Sequence, residues 1–528
     1  MNPDAAHVRS PDATFPGRGA DGGGWPDASR GAGLLLHVTS LPGAWGVGEI
    51  GPHAVRWVRA LAGMGVRYWQ VLPLGPTGYG DSPYQGLSTF AANPLLISVD
   101  DLLRAGWLTT EDLGEFPATD PRRADYGTIL PVRSALLARA ADRFAAAPSA
   151  DHRQFEAFCA RHADWLPDFA LFLSVKNEQS GRAWIEWPVP LAQREPAAMA
   201  EARRRLAREI QRVEILQFLF ERQWAALRRV AARVGVRMVG DLPIYVAHDS
   251  ADVWARRELF SLDRDGRPTV VAGVPPDYFS PTGQRWGNPL YRWDAHAAES
   301  YTWWTARVRR ALDFADLIRF DHFRGLESYW EIPAEAPTAE RGRWVAGPGD
   351  ALLATLRDRL GGLPLIAEDL GLITEAVHAL RDRFGLPGME VLQFLVGELP
   401  RQPDRLDRIR RNSVVYTGTH DNDTARGWFE MLRRRDASDP ERLAAVALLG
   451  ECAEEAARRL VEVAWHTKAR VAVAPLQDIL GLGSEARMNV PGRPDGNWQW
   501  RFCWEDFPPE PRQWLRRLTA AAGRGSRA

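Results

Sequence analysis

The sequence predicts an α/β protein built on a (β/α)8 TIM barrel, with large helical subdomains inserted at the C-terminal face of its sheet. Eight short β-rich runs recur along the chain, separated by stretches with apolar i, i+3, i+4 spacing. The runs are apolar almost throughout, as parallel strands buried on both faces must be. Three of them finish in an acid, and in such barrels the C-terminal strand ends form the reactive face.

The first run spans 32–43 and leads into a helical segment at 53–65; VRYWQVLPLGP (66–76) follows. The third run, VRMVGDLPIYV, begins only at 236. That gap is too long for one crossover, so an inserted subdomain is expected over about 95–200. Helical segments lie at 154–166 and 201–235, and the Arg/Glu alternation of the latter predicts a solvated face with i, i+4 pairs. A second insertion, 251–293, starts from a C-terminal strand end and is rich in Gly, Pro and aromatics. Long loops of this kind are usually functional. The remaining runs are DLIRFDHFRG (316–325), LPLIAEDLG (363–371), VLQFLV (391–396), SVVYTGTHDND (413–423) and ARVAVAPLQDIL (469–480). Residues 1–31, rich in Gly, Pro, Ala and Asp, read as a disordered tail ahead of a catalytic barrel over 32–520.

Composition excludes several classes. Lys+Arg (66) and Asp+Glu (67) balance to −1 over 528 residues, with Lys only at Lys176 and Lys468, so no global footprint for nucleic acid exists. Cys159, Cys452 and Cys503 are too few and too far apart for a disulfide scaffold or a C-x-x-C zinc site, which favours a reducing, cytoplasmic setting. No uncharged apolar run of about 18 residues or more predicts a membrane span, and the tail lacks the apolar stretch of a signal peptide. Trp is abundant, 22 against 10 Tyr. Most must be packing, as expected for Trp57, Trp69, Trp303 and Trp304; some would line a groove where flat rings stack on sugars.

The strand-end acids are Asp321, Glu368 with Asp369, and Asp421; Asp321, Glu368 and Asp421 are spaced 47 and 53 residues apart. One such acid is most simply the N-cap of the next helix. Three converge on one mouth of the barrel. Glycosidic bond cleavage wants that: a retaining mechanism needs a nucleophile and an acid about 5–5.5 Å apart. A metal site is the runner-up, but no D-x-D-x-D-G loop is present and only His322 and His420 lie nearby. Arg319, two residues before Asp321, shares its side of the strand and would keep it ionised. His420 could bond a sugar hydroxyl, and Asp241 reads as a support for the site.

Longer strings then become recognisable: HVTSLPG, DSPYQGLSTFAANPLLIS, GDLPIYVAHDSADVW, VAGVPPDYFSPTGQRWGNPLY, IRFDHFRGLESYWEIP, AEDLG, FGLPGM, YTGTHDNDT and LQDILGLGSEARMNVPG. Together they resemble the amylomaltase family, the 4-α-glucanotransferases or disproportionating enzymes of glycoside hydrolase family 77, over roughly 32–505. The resemblance implies Asp321 as nucleophile with Arg319 as its partner, Glu368 as general acid/base and Asp421 as the stabilising acid with His420 beside it. It implies substrate contacts from Ser82, Tyr84, Gln284 and Trp286, an aromatic lid of Tyr278 and Phe279, and support from Asp369. It also implies maltooligosaccharides and starch- or glycogen-derived α-1,4-glucans as partners, glucose as an acceptor, and no cofactor, metal, nucleic acid or membrane. An α-amylase-type hydrolase would use the same acids. A non-catalytic glucan-binding protein is the reading from a different class, and the intact acids speak against it.

Overall fold

The computed structural model describes residues 30–147, 150–276, 280–493 and 495–525. The tail expected at 1–31 lies outside them except for its last two residues, and so do Tyr278 and Phe279 of the expected lid. In chain order the strands are β1 (Gly31–Leu35), β2 (Tyr68–Gln70), β3 (Arg237–Leu242), β4 (Val270–Val274), β5 (Gln284–Pro289), β6 (Leu317–Phe320), β7 (Ser328–Pro333), β8 (Arg343–Ala346), β9 (Leu365–Ala367), β10 (Gly388–Val391), β11 (Ser413–Tyr416) and β12 (Val471–Pro475). Eight of them close into a barrel in the order β1-β12-β11-β10-β9-β6-β3-β2. All eight seams are parallel. This is the (β/α)8 architecture the alternating runs predict.

The lumen is filled by Leu35, Tyr68, Val239, Leu317, Ile366, Met389, Val414, Tyr416, Val471 and Val473, each nearly inaccessible. Glycine makes room for the Tyr68 ring: a Cβ at Gly31 would lie 2.5 Å from it. Near the mouth the Tyr416 hydroxyl donates to Gln70 Oε1 at 2.9 Å, so the lumen becomes polar where the acids begin. Trp57, Trp69 and Trp304 are wholly buried and Trp303 nearly so, in the core between sheet and helices, as expected.

One run sits differently from its expectation. Only Val391 of VLQFLV is strand; the segment Leu392–Glu398 is helix and β10 lies upstream. A short apolar run cannot be told from a buried helix turn by periodicity. Glu390, within β10 and bonded by Arg405 at 2.7 Å, disguised the true strand as polar.

Between β2 and β3 the chain is helical, ending in the 27-residue helix Ala207–Arg233. Its arginines depart from the expected i, i+4 pattern. Arg208 and Arg212 both reach Asp142 on the helix Tyr126–Ala146, at 2.8 and 2.7 Å, because Val213, Phe218 and Trp224 bury the opposite face. The 251–293 segment is more regular than a loop. Its β4 and β5 join β7 and β8 in a four-stranded antiparallel sheet, β5-β4-β7-β8, beside the barrel mouth. Among the described residues no helix is long and apolar enough to cross a membrane.

Candidate active site

Asp321 and Glu368 are the first residues beyond β6 and β9, and Asp421 follows β11 by five. Neighbouring strands thus deliver the first two acids to one end of the barrel. The Asp321 N–H donates to Leu242 O at 3.0 Å, and the Phe323 N–H donates to Glu368 O at 3.0 Å, which knits the ends of β3, β6 and β9 together.

Arg319 is the central cation, with its side chain only 5 % exposed. Its Nη1 donates to both Asp241 oxygens at 3.0 and 2.9 Å and to Asp321 Oδ1 at 2.8 Å. The two-residue alternation from Arg319 to Asp321 is what places them on one side. Asp241, at the end of β3, is fully enclosed and accepts the Tyr84 hydroxyl at 2.9 Å through Oδ2. Burial raises the Asp241 carboxyl and Arg319 pulls it back. The Tyr84 ring stacks on His420 at 5.1 Å and 16° and leans on Trp498 at 5.9 Å, leaving Ser82 Oγ to accept the Tyr84 N–H at 3.3 Å. A recess lined by Tyr84, Asp241, Tyr245 and Arg307 opens beside them.

Glu368 accepts the His322 N–H at 2.6 Å through Oε2. His322 adopts the left-handed conformation (φ 52°, ψ 49°), which turns its N–H toward that carboxylate just after Asp321. Burial is the main force raising the Glu368 carboxyl well above the ordinary range; Asp321 and Asp369 add to it, while Arg319 and the His322 N–H oppose it. The imidazole of His322, held down to about 4 by burial, stands edge-on to Trp286 at 4.9 Å. Trp286 in turn donates from Nε1 to Gln284 Oε1 at 3.1 Å on β5.

Asp421 accepts the Asn489 amide at 2.6 Å through Oδ1, and its carbonyl accepts from Arg487 at 2.5 Å. His420 Nε2 lies 3.4 Å from Asp421 Oδ2, with burial lowering the imidazole pKa. The Asp421 side chain is nearly half exposed at the mouth. Asp369, expected as a support for the site, is held away from the mouth. Its side chain is 3 % exposed and occupied by the Met389 N–H at 2.7 Å and by Arg381, so it faces β10 and not the mouth. Sequence reasoning left His322, Asn489, Arg487 and Trp498 out of the candidate site. His322 carried a signal, standing next to a strand-end acid; Arg487 and Asn489 stood inside the recognisable string LQDILGLGSEARMNVPG, but their partner Asp421, 68 positions from Asn489, was not legible.

The chain is similar to known proteins over most of its length. The family model described as 4-alpha-glucanotransferase matches residues 36–505. The chain belongs to the 4-alpha-glucanotransferase family. Relatives carrying that family name include the Thermus thermophilus protein, 50 % identical over 94 % of this chain and 99 % of its own. The Synechocystis 4-alpha-glucanotransferase is 44 % identical over 92 % of this chain and 95 % of its own. The amylomaltase of Streptococcus agalactiae, solved in complex with acarbose, superposes with a TM-score of 0.90 at 35 % identity, covering 94 % of this chain and all of that one. A 4-alpha-glucanotransferase is a glycosyl-transferring enzyme, and the hydrolase alternative is not favoured.

Proposed function

We propose that this enzyme moves segments of α-1,4-glucan onto the 4-hydroxyl of glucose or another glucan by retaining double displacement, as one catalytic unit over 32–520 with insertions near 95–200 and 251–293. Asp321 attacks the anomeric carbon while Glu368 gives its proton to the departing glycosidic oxygen. The result is a β-glucosyl ester on Asp321 and a shortened glucan with a new hydroxyl. Glu368, now a carboxylate, takes the proton of the incoming 4-hydroxyl, whose oxygen displaces Asp321; two inversions give net retention. Asp421, with His420, holds sugar hydroxyls, and Tyr84 and Ser82 line the donor side.

The carrying observation is the different treatment of two adjacent acids: Asp321 receives a guanidinium hydrogen bond at 2.8 Å, whereas Glu368 is half-buried and desolvation pushes it toward its protonated form. An ionised nucleophile beside a protonated acid is the starting state this chemistry requires. Sugar must also outcompete water as acceptor. Gln284 and Trp286 supply the acceptor platform, and Trp286 meets His322, whose N–H holds Glu368. An acceptor bound there is oriented beside the base in a way free water is not. Three unpaired cysteines support a cytoplasmic setting.

Maltotriose as sole substrate tests the reading. Transfer gives glucose and a ladder of longer chains with total reducing ends constant, and Asp321→Asn abolishes it while maltotriose binding remains measurable. Rising reducing ends with mainly shortened products would indicate hydrolysis, and retained turnover in the variant would remove Asp321 from its role.

A further inference from the structure

Seven of the eight barrel seams are ladders of three to five paired residues. The eighth, between β9 and β10, has one pair, Ala367 with Gly388. Glu368 follows that thin seam directly. A side chain completes what the backbone leaves out: Asp369 Oδ1 accepts the Met389 N–H at 2.7 Å from across the seam. Its Oδ2 is held by Arg381 from the helix Glu375–Arg383. Arg381 is anchored by Asp382 at 2.8 Å, and Asp382 by Arg410 at 2.9 Å. The seat needs glycine: a Cβ at Gly388 would lie 2.6 and 2.8 Å from the Asp369 oxygens and 2.9 Å from Arg381 Nη1. Neighbouring side chains thus diverge, Asp369 onto β10 and Arg381, Glu368 onto the His322 N–H.

We propose that Asp369, seated on Gly388 and clamped by Arg381, is a positioning residue that fixes where Glu368 presents its proton. This rests on the reading of Glu368 as acid/base. The Glu368 backbone is held on the β6 side, by its N–H on Phe320 O at 3.1 Å and the Phe323 N–H on its O at 3.0 Å, but on the β10 side the one-pair seam leaves the restraint to Asp369, and an acid displaced by about 1 Å loses much of its effect. The buried Asp369 charge also disfavours a second negative charge on Glu368. The groups facing Glu368 are Arg319 and Asp321 from the β6 end, the His322 N–H and Asp369 itself. Those facing Asp369 are Arg381, the Met389 N–H, Arg410 and, at 3.9 Å, His378.

Asp369→Asn keeps an acceptor for Met389 and removes the charge. The test compares maltotriose, whose leaving oxygen needs a proton, with α-maltotriosyl fluoride, whose fluoride leaves with little acid help. The expected result is a kcat on maltotriose about tenfold or more lower, with KM and fluoride release within about threefold of the parent. The alkaline limb of kcat/KM shifts to lower pH, since losing the anion makes ionisation of Glu368 easier. Equal losses on both substrates, or no loss on either, overturn the proposal. Arg381→Lys, which keeps charge and loosens the clamp, is read by the same substrate split if Asp369→Asn does not fold. Glu368→Gln separates the two failures. Continued maltotriose turnover in that variant refutes the acid/base reading itself, whatever Asp369→Asn shows.

Discussion

Each functional side chain here does something its isolated chemistry would not. A glutamate in water is ionised at neutral pH; Glu368 is half-buried beside Asp321 and Asp369, so its proton is retained far above the ordinary carboxylate range. In the proposed mechanism the donor step uses that proton, so activity is expected to fall as pH rises through the folded-state value. The alkaline limb of kcat/KM on maltotriose is expected well above pH 5, and a limb at or below about pH 5 would remove Glu368 as the acid. Stability carries the same sign. A group whose folded pKa is raised stabilises most below its unfolded value, and that contribution disappears as pH rises. Glu368→Gln should therefore raise Tm relative to the parent near about pH 8 and not near about pH 4.

Elements position these residues in two ways. Barrel strands do so by alternation, as in the pairing of Arg319 with Asp321 at 2.8 Å. The antiparallel sheet does so by close packing, and its tightest point is Gly273 on β4. There a Cβ would lie 2.2 Å from Gln284 O and 2.6 Å from Ile332 Cδ1. Backbone cannot move aside as a side chain can. Gly273→Ala is expected to cost about 1–3 kcal/mol. Because β5 carries Gln284 and Trp286, KM for the acceptor should rise more than kcat falls. An unchanged Tm together with an unchanged acceptor KM would show that the sheet does not hold these residues. The 251–293 segment reads as a functional loop from its Gly, Pro and aromatic content, but its sheet is not legible, since β4, which pairs with β5, also pairs with β7 more than fifty residues further on.

For the molecule as a whole, closure of the barrel brings β1 against β12, and the chain's last described helix returns to that seam. Arg524, fully buried beyond the helix Pro509–Ala521, donates to the carbonyls of Gly31, Trp465, Thr467, Ala469 and Arg470 at 2.7–3.3 Å. Burial draws its pKa down only to about 9, so the cation persists at neutral pH. Arg524→Ala strands these carbonyls and should cost about 2–4 kcal/mol. The readout is a Tm lowered by several degrees with kcat on maltotriose preserved below the transition; an unchanged Tm would contradict the clasp.

The sequence by itself determined the eight-run alternation, the acids at strand ends and the company of Arg319 with Asp321, because strand and helix periodicities are local and a two-residue alternation leaves no freedom about which side a residue takes. Tertiary closure alone decided that Asp241 and Tyr84 share Arg319's corner, that Asn489 holds Asp421, and that Asp369 turns from the mouth to brace β10. Those partners lie as far as 157 residues apart, and no local pattern encodes a hydrogen bond that exists only once the sheet has closed on itself.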